Sequence, residues 1–308
     1  MSLKGNHLTN VFDLNREQIE LIFETAKDLK RRQKIGQPHQ LLKGKSLGMI
    51  FQKPSTRTRV SFEVGMTQLG GHALYLGPND LQLNRGETIA DTAKVLSRYV
   101  DGIMARVFSH NDIVSLAENS TVPVINGLSD RFHPCQALTD LFTILEKYQS
   151  FDGLKVGFVG DGDNNVTYSL MYLCARLGID ISVGCPPKYN VKDEVLAVAK
   201  KEANKTGAKI TVTPDPEKAV ALANVIYTDV WVSMGREDKE ERLKALKPYQ
   251  VNNFLIKRAA RHAIIMHCLP AHRGEELTNE VMDGPQSVVF DQAENRLHIQ
   301  KAIMALMM

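Results

Sequence analysis

Apolar and polar positions follow two rhythms along this chain, and the switching between them outlines its elements. Residues 46–51 form a short apolar run of strand length, and 60–69 read as a helix stopped by Gly70-Gly71. A strand at 73–76 ends at Gly77-Pro78, after which Ile89, Ala93, Leu96 and Val100 mark one helical face. Strands are expected at 102–107 and 122–125. A helix is expected at 134–148, with Leu138, Leu141, Phe142 and Leu145 along one side. The alternation then restarts, with strands at 155–159, 179–183, 209–212, 225–227 and 263–267. Two successive sets of strand–helix alternation predict an α/β chain of two domains, each a parallel sheet flanked by helices. The helix ending near Tyr148 is long enough to bridge them. A last periodic stretch, with Ala293, Leu297, Ile303 and Leu306, predicts a C-terminal helix. We place the domains at 1–148, with 291–308 packing back on it, and at 149–290.

Composition narrows the class. A length of 308 residues suits two domains of about 150 each. With 43% apolar and 24% charged residues, disorder is not expected. The net charge of +3 is too small to argue for a nucleic-acid partner. No apolar run approaches the ~18 residues of a membrane span, and Met1-Ser2-Leu3-Lys4 lacks the apolar core of a secretory signal. Cys135, Cys174, Cys185 and Cys268 form no CxxC pair, so neither a zinc site nor a disulfide framework is indicated. A cytoplasmic enzyme or binding protein is the expectation. The mixed-charge run 236–247 reads as a solvated helix face.

In open parallel sheets, ligands sit beyond the carboxyl ends of the strands, so the residues that follow each strand carry the chemistry. After the first comes Lys53-Pro54-Ser55-Thr56-Arg57-Thr58-Arg59, whose hydroxyls, helix amides and Arg57 suit an anion. A Ser/Thr-rich helix cap with surface arginines explains the same residues, and the Walker pattern is absent. Arg106 closes another strand, where a second cation can meet the same phosphate. His133-Pro134-Cys135-Gln136 opens a helix at its proline, putting His133 at the mouth and Gln136 one turn on. Gly160-Asp161-Gly162-Asp163-Asn164-Asn165 approaches the dinucleotide fingerprint, but Asn165 replaces its third glycine, which disfavours NAD. Asp229-Val230-Trp231-Val232-Ser233-Met234-Gly235 sets a carboxylate beside a hydroxyl, a pairing that suits an ammonium group. In His267-Cys268-Leu269-Pro270 the thiol is either a nucleophile or a small buried hydrophobe, and the proline allows a cis peptide. Arg296 in isolation reads as solvent-exposed at the opening of the last helix.

Together these segments resemble the aspartate/ornithine carbamoyltransferase family, in order and over essentially the whole chain. Ser55-Thr56-Arg57-Thr58-Arg59 and His133-Pro134-Cys135-Gln136 are similar to its carbamoyl-phosphate signatures. The segments at 229–235 and 267–270 are similar to those of its ornithine branch. The resemblance implies transfer of the carbamoyl group of carbamoyl phosphate to the δ-amine of L-ornithine, without metal or organic cofactor. It implies that Ser55, Thr56, Arg57 and Thr58 grip the phosphate while Arg106 spans phosphate and carbonyl. His133 and Gln136 hold the carbamoyl group, and Leu269, through its backbone carbonyl, and Arg296 complete that pocket. Asn165, Asp229, Ser233 and Met234 match the ornithine-binding positions, with Cys268 close to the δ-amine. Family members typically form trimers, and Gln82 lies in a segment resembling the loop they lend to a neighbouring subunit's site. The segment Ser233-Met234-Gly235, with the charged run after it, reads as a lid hinged at Gly235.

Two rival readings stay in view. A sibling transferase would use aspartate, putrescine or an N-acylated ornithine, and an NAD(P)-dependent oxidoreductase would use the glycines at 160 and 162. A non-catalytic anion sensor would lose the acceptor-side aspartate, but Asp229 is present.

Overall fold

The computed structural model describes residues 2–232 and 238–308. The chain divides into two compact units, one running to Thr139 and including Glu294–Met308, the other Asp140–Ala293.

The first unit begins with α1 (Arg16–Lys34), an element beyond those singled out from the sequence. Asn15 caps it through a capping box with Gln18, and Ile19, Ile22, Phe23, Ala26 and Leu29 form its buried stripe. There follow β1 (Ser46–Phe51), α2 (Thr56–Gln68), β2 (His72–Leu76), α3 (Ile89–Leu96), β3 (Gly102–Arg106), α4 (His110–Asn119), β4 (Val124–Leu128) and the start of α5 (Pro134–Tyr148), whose residues from Asp140 belong to the second unit. The four strands lie parallel in the order β2-β1-β3-β4.

Most strands fall within a residue of the expected bounds, and two elements depart further for local reasons. Helix α2 starts at Thr56 rather than near Val60, because the Ser55 side chain accepts the Thr58 backbone N–H and so caps an earlier turn. Strand β4 lies further along than 122–125 and runs through Asn126-Gly127, a pair that reads as a turn. A Cβ at Gly127 would stand 2.6 Å from the Met104 sulfur, so a residue without one fits that position in the sheet.

The second unit holds β5 (Lys155–Val159), α6 (Asn165–Leu177), β6 (Asp180–Gly184), α7 (Asp193–Thr206), β7 (Ile210–Thr213), α8 (Pro216–Val220) and β8 (Val225–Thr228). It continues with α9 (Lys239–Leu246), α10 (Asn253–Ile256), β9 (Ile264–His267), α11 (Asn279–Met282) and the start of α12 (Val289–Met307). Its five parallel strands follow the order β7-β6-β5-β8-β9. The chain is therefore α/β, with two parallel sheets flanked by helices. Residues from Glu294 onward belong to the first unit, where Lys301 of α12 donates to Gln33 of α1 and Gln68 of α2. Among the described residues no helix is long and apolar enough to cross a membrane.

Each sheet has one place where neighbouring strands lead off in opposite directions along the strand order, between β1 and β3 and between β5 and β8. Such a switch point opens a crevice at the strands' carboxyl ends. The segments after β1, β3, β5 and β8 are those carrying Ser55–Thr58, Arg106, Gly160–Asn165 and Asp229.

Candidate active site

In the first unit the polar side chains meet around α2. Ser55 Oγ caps the helix and donates to Thr58 Oγ1 at 3.1 Å. Thr56 is exposed and Arg57 half-buried on the first turn, and the Arg57 guanidinium pairs with no carboxylate among the described residues. Thr58 is 1% exposed and also accepts from Arg296 Nη2 at 3.2 Å. Arg296 Nη1 donates to Gln136 Oε1 at 2.6 Å.

Arg296, 4% exposed, thus joins two segments that are 78 positions apart in sequence, which corrects its reading as a solvent-facing side chain. It also lies two turns into α12, which opens at Val289. Arg106 ends β3 opposite Phe51 of β1, beside the strand that leads into Ser55. His133 is buried, and burial followed by the charges of Arg296 and Arg106 holds its pKa well below the usual histidine range. It is a neutral imidazole offering one N–H. Gln82 stands apart in a short turn, exposed, with its side chain bonded only to Arg85 among the described residues.

In the second unit the groups are acidic. Gly160, at φ +139, turns the chain out of β5 in a conformation open to glycine, and Asn164 caps α6 by accepting from Val166 N–H at 2.7 Å. The other end of the Asn164 amide donates to Asp229 Oδ2 at 3.1 Å. Asp229 Oδ1 accepts from the Val230 N–H at 2.7 Å and from the Cys268 thiol at 2.8 Å.

Burial first, and Asp229 after it, set the state of Cys268. Burial of the thiol, then the charge and hydrogen bond of Asp229, then the charge of Asp140, push its pKa far up, against a weaker opposing hydrogen bond from Tyr227. The thiolate nucleophile considered from sequence does not form, and Cys268 is a protonated donor. Leu269 follows at φ +58 with a cis peptide to Pro270. Its N–H donates to His267 Nδ1 at 2.8 Å, while His267 Nε2 lies 3.0 Å from Glu276 Oε1. Asp229, His267 and Cys268 bring ligand-type atoms within 4.8 Å of one another. Both His267 ring nitrogens are already engaged and the thiol keeps its proton, so this donor set suits hydrogen bonding rather than a metal.

Two models of the aspartate/ornithine carbamoyltransferase family match, the carbamoyl-phosphate-binding domain over residues 6–146 and the Asp/Orn-binding domain over 152–307. The chain belongs to this family. It is 59% identical to the anabolic ornithine carbamoyltransferase of Pyrococcus furiosus, across 100% of this chain and 98% of that one. The solved P. furiosus ornithine carbamoyltransferase superposes with a TM-score of 0.97 at 59% identity, covering 100% of this chain and 98% of that one. The Thermus thermophilus enzyme superposes at 0.87 with 41% identity, covering 97% and 98%.

Asn165 is the first residue of α6 and half-buried, but the amide that reaches Asp229 belongs to Asn164. Capping explains only the bond from Val166 N–H, and nothing local to Asn164 marks its contact with a residue 65 positions away. Ser233, Met234 and the expected hinge Gly235 lie outside the described residues. In the charged run after them Lys239, Glu240, Glu241, Lys244 and Lys247 are exposed as expected, and one side chain departs. Arg242 of α9 is 3% exposed rather than solvated. Its Nη1 lies 2.5 Å from Asp161 Oδ2 and its Nε 2.8 Å from Asp238, with the guanidinium 4.3 Å over the Tyr189 ring. Burial pushes Asp161 up to about 6, against the downward pull of Arg242. Charge patterning along one segment gave no sign of a partner 81 positions away.

Proposed function

We propose that this chain transfers the carbamoyl group of carbamoyl phosphate to the δ-amine of L-ornithine, giving L-citrulline and phosphate. The observation that carries the reading is that the switch points of the two units, each taken by itself, are chemically opposite. One gathers Arg57, Arg106, Arg296 and neutral donors, and the other gathers Asp229 with Cys268 and Asn164. A dianion suits the first and an ammonium-bearing amino acid the second. The identity to relatives named ornithine carbamoyltransferase supports the choice of acceptor.

Carbamoyl phosphate is a mixed anhydride with a good leaving group, so direct attack by an amine needs no covalent enzyme intermediate. Ser55, Thr56, Arg57 and Thr58 at the start of α2, with Arg106, hold the phosphate and offset its charge. Gln136, Arg296 and the Leu269 carbonyl orient the carbamoyl amide. As the δ-nitrogen bonds to carbon, negative charge builds on the carbonyl oxygen, where Thr58, Arg106 and the N–H of neutral His133 donate. Each such donor is worth about 3–4 kcal/mol in comparable oxyanion sites. The tetrahedral species collapses with loss of phosphate, which takes the proton released by the new amide.

On the acceptor side, Asp229 pairs with the α-ammonium, and Asn165, Ser233 and Met234 complete recognition of the amino acid. An unperturbed alkylamine has a pKa near ~10.4, so the δ-amine must shed a proton in a desolvated pocket. Cys268 orients that nitrogen. We further assign the enzyme to arginine metabolism in the cytoplasm, as a homotrimer in which Gln82 serves the neighbouring protomer's site.

Incubating the protein with carbamoyl phosphate and ornithine, putrescine, aspartate or N-acetylornithine in parallel tests the proposal. Citrulline formation with a preference for ornithine of at least about tenfold is expected. A better rate with another acceptor overturns the choice of substrate, and no product from any of them overturns the reaction.

A further inference from the structure

Asp140 of α5 has no part in that mechanism, yet it is 0% exposed in the second unit. Burying a carboxylate costs several kcal/mol unless donors compensate, so its partners are informative. Tyr227 Oη donates to Asp140 Oδ2 at 3.0 Å, and Gln292 Nε2 donates to Asp140 Oδ1 at 2.7 Å. The same Gln292 turns its Oε1 to accept the His267 backbone N–H at 2.9 Å.

Tyr227 lies at the carboxyl end of β8, two residues before Asp229, and His267 ends β9, one residue before Cys268. One carboxylate therefore ties down both strand ends that deliver the acceptor-side groups. Tyr227 and Gln292 are themselves 0% and 1% exposed, so neither can satisfy its polar atoms from solvent if Asp140 is changed.

We propose that Asp140 is a positioning residue for the acceptor half of the site, fixing the spacing of Asp229 and Cys268 through Tyr227 and Gln292. The proposal rests on the carbamoyltransferase reading. It gives a role in the reaction to a carboxylate that need not touch either substrate. Displacement of a reacting group by about 1 Å costs on the order of 10²-fold in rate, so a small relaxation of these strand ends is enough to register.

Donor and acceptor matching supplies the test. In Asp140→Asn one amide end faces a donor, so at least one of these bonds is lost. Adding Gln292→Glu restores the link from position 140 to β9, because the asparagine NH2 donates to the new carboxylate, whose other oxygen accepts from His267 N–H; only the longer Gln292–Tyr227 contact of 3.2 Å is given up. The buried charge is conserved but moved. Asp140→Asn is expected to lower kcat/KM for ornithine by about 10²-fold while the Kd for carbamoyl phosphate changes less than about threefold. The double variant should recover at least about tenfold of the loss. Tyr227→Phe removes the Tyr227 arm together with that hydroxyl's contacts to Gln292 and Cys268, and should cost about tenfold in the same constant.

A single variant with unchanged kcat/KM overturns the inference, as does a double variant no better than the single one. So does an equal loss of carbamoyl phosphate binding. If Asp140→Asn does not fold, Tyr227→Phe and Gln292→Met are read together: a loss in both supports the inference, and unchanged kinetics in either overturn it. Unmutated protein that forms no citrulline overturns the carbamoyltransferase reading instead.

Discussion

The two units handle charge in opposite ways at equivalent places in their sheets. At the β1/β3 switch point the buried or half-buried groups are cations and neutral donors, namely Arg106, Arg296, Thr58, Gln136 and an uncharged His133. At the β5/β8 switch point they are carboxylates with their donors attached, Asp229 with Asn164 and Cys268, and Asp161 with Arg242. The contrast teaches that the fold supplies a crevice and the sequence decides its sign. The acidic half is also the more self-satisfied. Its carboxylates hold protein partners already, whereas Arg57 in the cationic half pairs with no carboxylate among the described residues.

The largest expected effect comes from breaking the acidic half's buried pair. Arg242→Met leaves Asp161 enclosed without its cation and should cost about 3–5 kcal/mol in denaturant unfolding. Adding Asp161→Asn should return most of that, and a loss under about 1 kcal/mol in the single variant would mean the pair is not buried in solution.

Arg57→Ala addresses the cationic half. It should lower kcat/KM for carbamoyl phosphate by about 10²–10³-fold with folding intact, because no carboxylate loses a partner. A stability loss comparable to that of Arg242→Met would erase the contrast between the halves.

Cys268 sharpens it further. Held protonated by burial and Asp229, its thiol should react with iodoacetamide at pH 7.5 at least about tenfold more slowly than a free cysteine. Cys268→Ala should reduce kcat/KM for ornithine by about tenfold, as expected for a donor and not for a nucleophile.

The smallest effect concerns Lys301, a buried cation of the first unit whose hydrogen-bonding partners Gln33, Gln68 and His39 are all side chains without a formal negative charge. Burial lowers its pKa from 10.5 to about 8. Between those values the unfolded chain binds a proton that the folded one does not, so its contribution to stability rises with pH from about 8 to 10.5. The stability difference between the unmutated protein and Lys301→Met should grow across that window by on the order of 1 kcal/mol. A flat difference would show that the ammonium is solvated.

The sequence by itself determined much of this protein. Strand–helix alternation gave both parallel sheets, and 134–148 and 155–159 coincide with α5 and β5. Motif order gave the family, and the rule that ligands gather past strand ends pointed to Ser55–Thr58, Arg106, Asp229 and Cys268. These features are legible because they depend on neighbours within one or two turns, where periodicity and capping act. Tertiary structure alone decided the partners of Arg296 and Arg242, which of two adjacent asparagines meets Asp229, and the protonated state of Cys268. Each of those depends on a contact tens to hundreds of positions away in the chain and on how far water is excluded there. A polar side chain carries no local mark of either, since the same residue type serves a solvated helix face or a buried pair according to what folds over it.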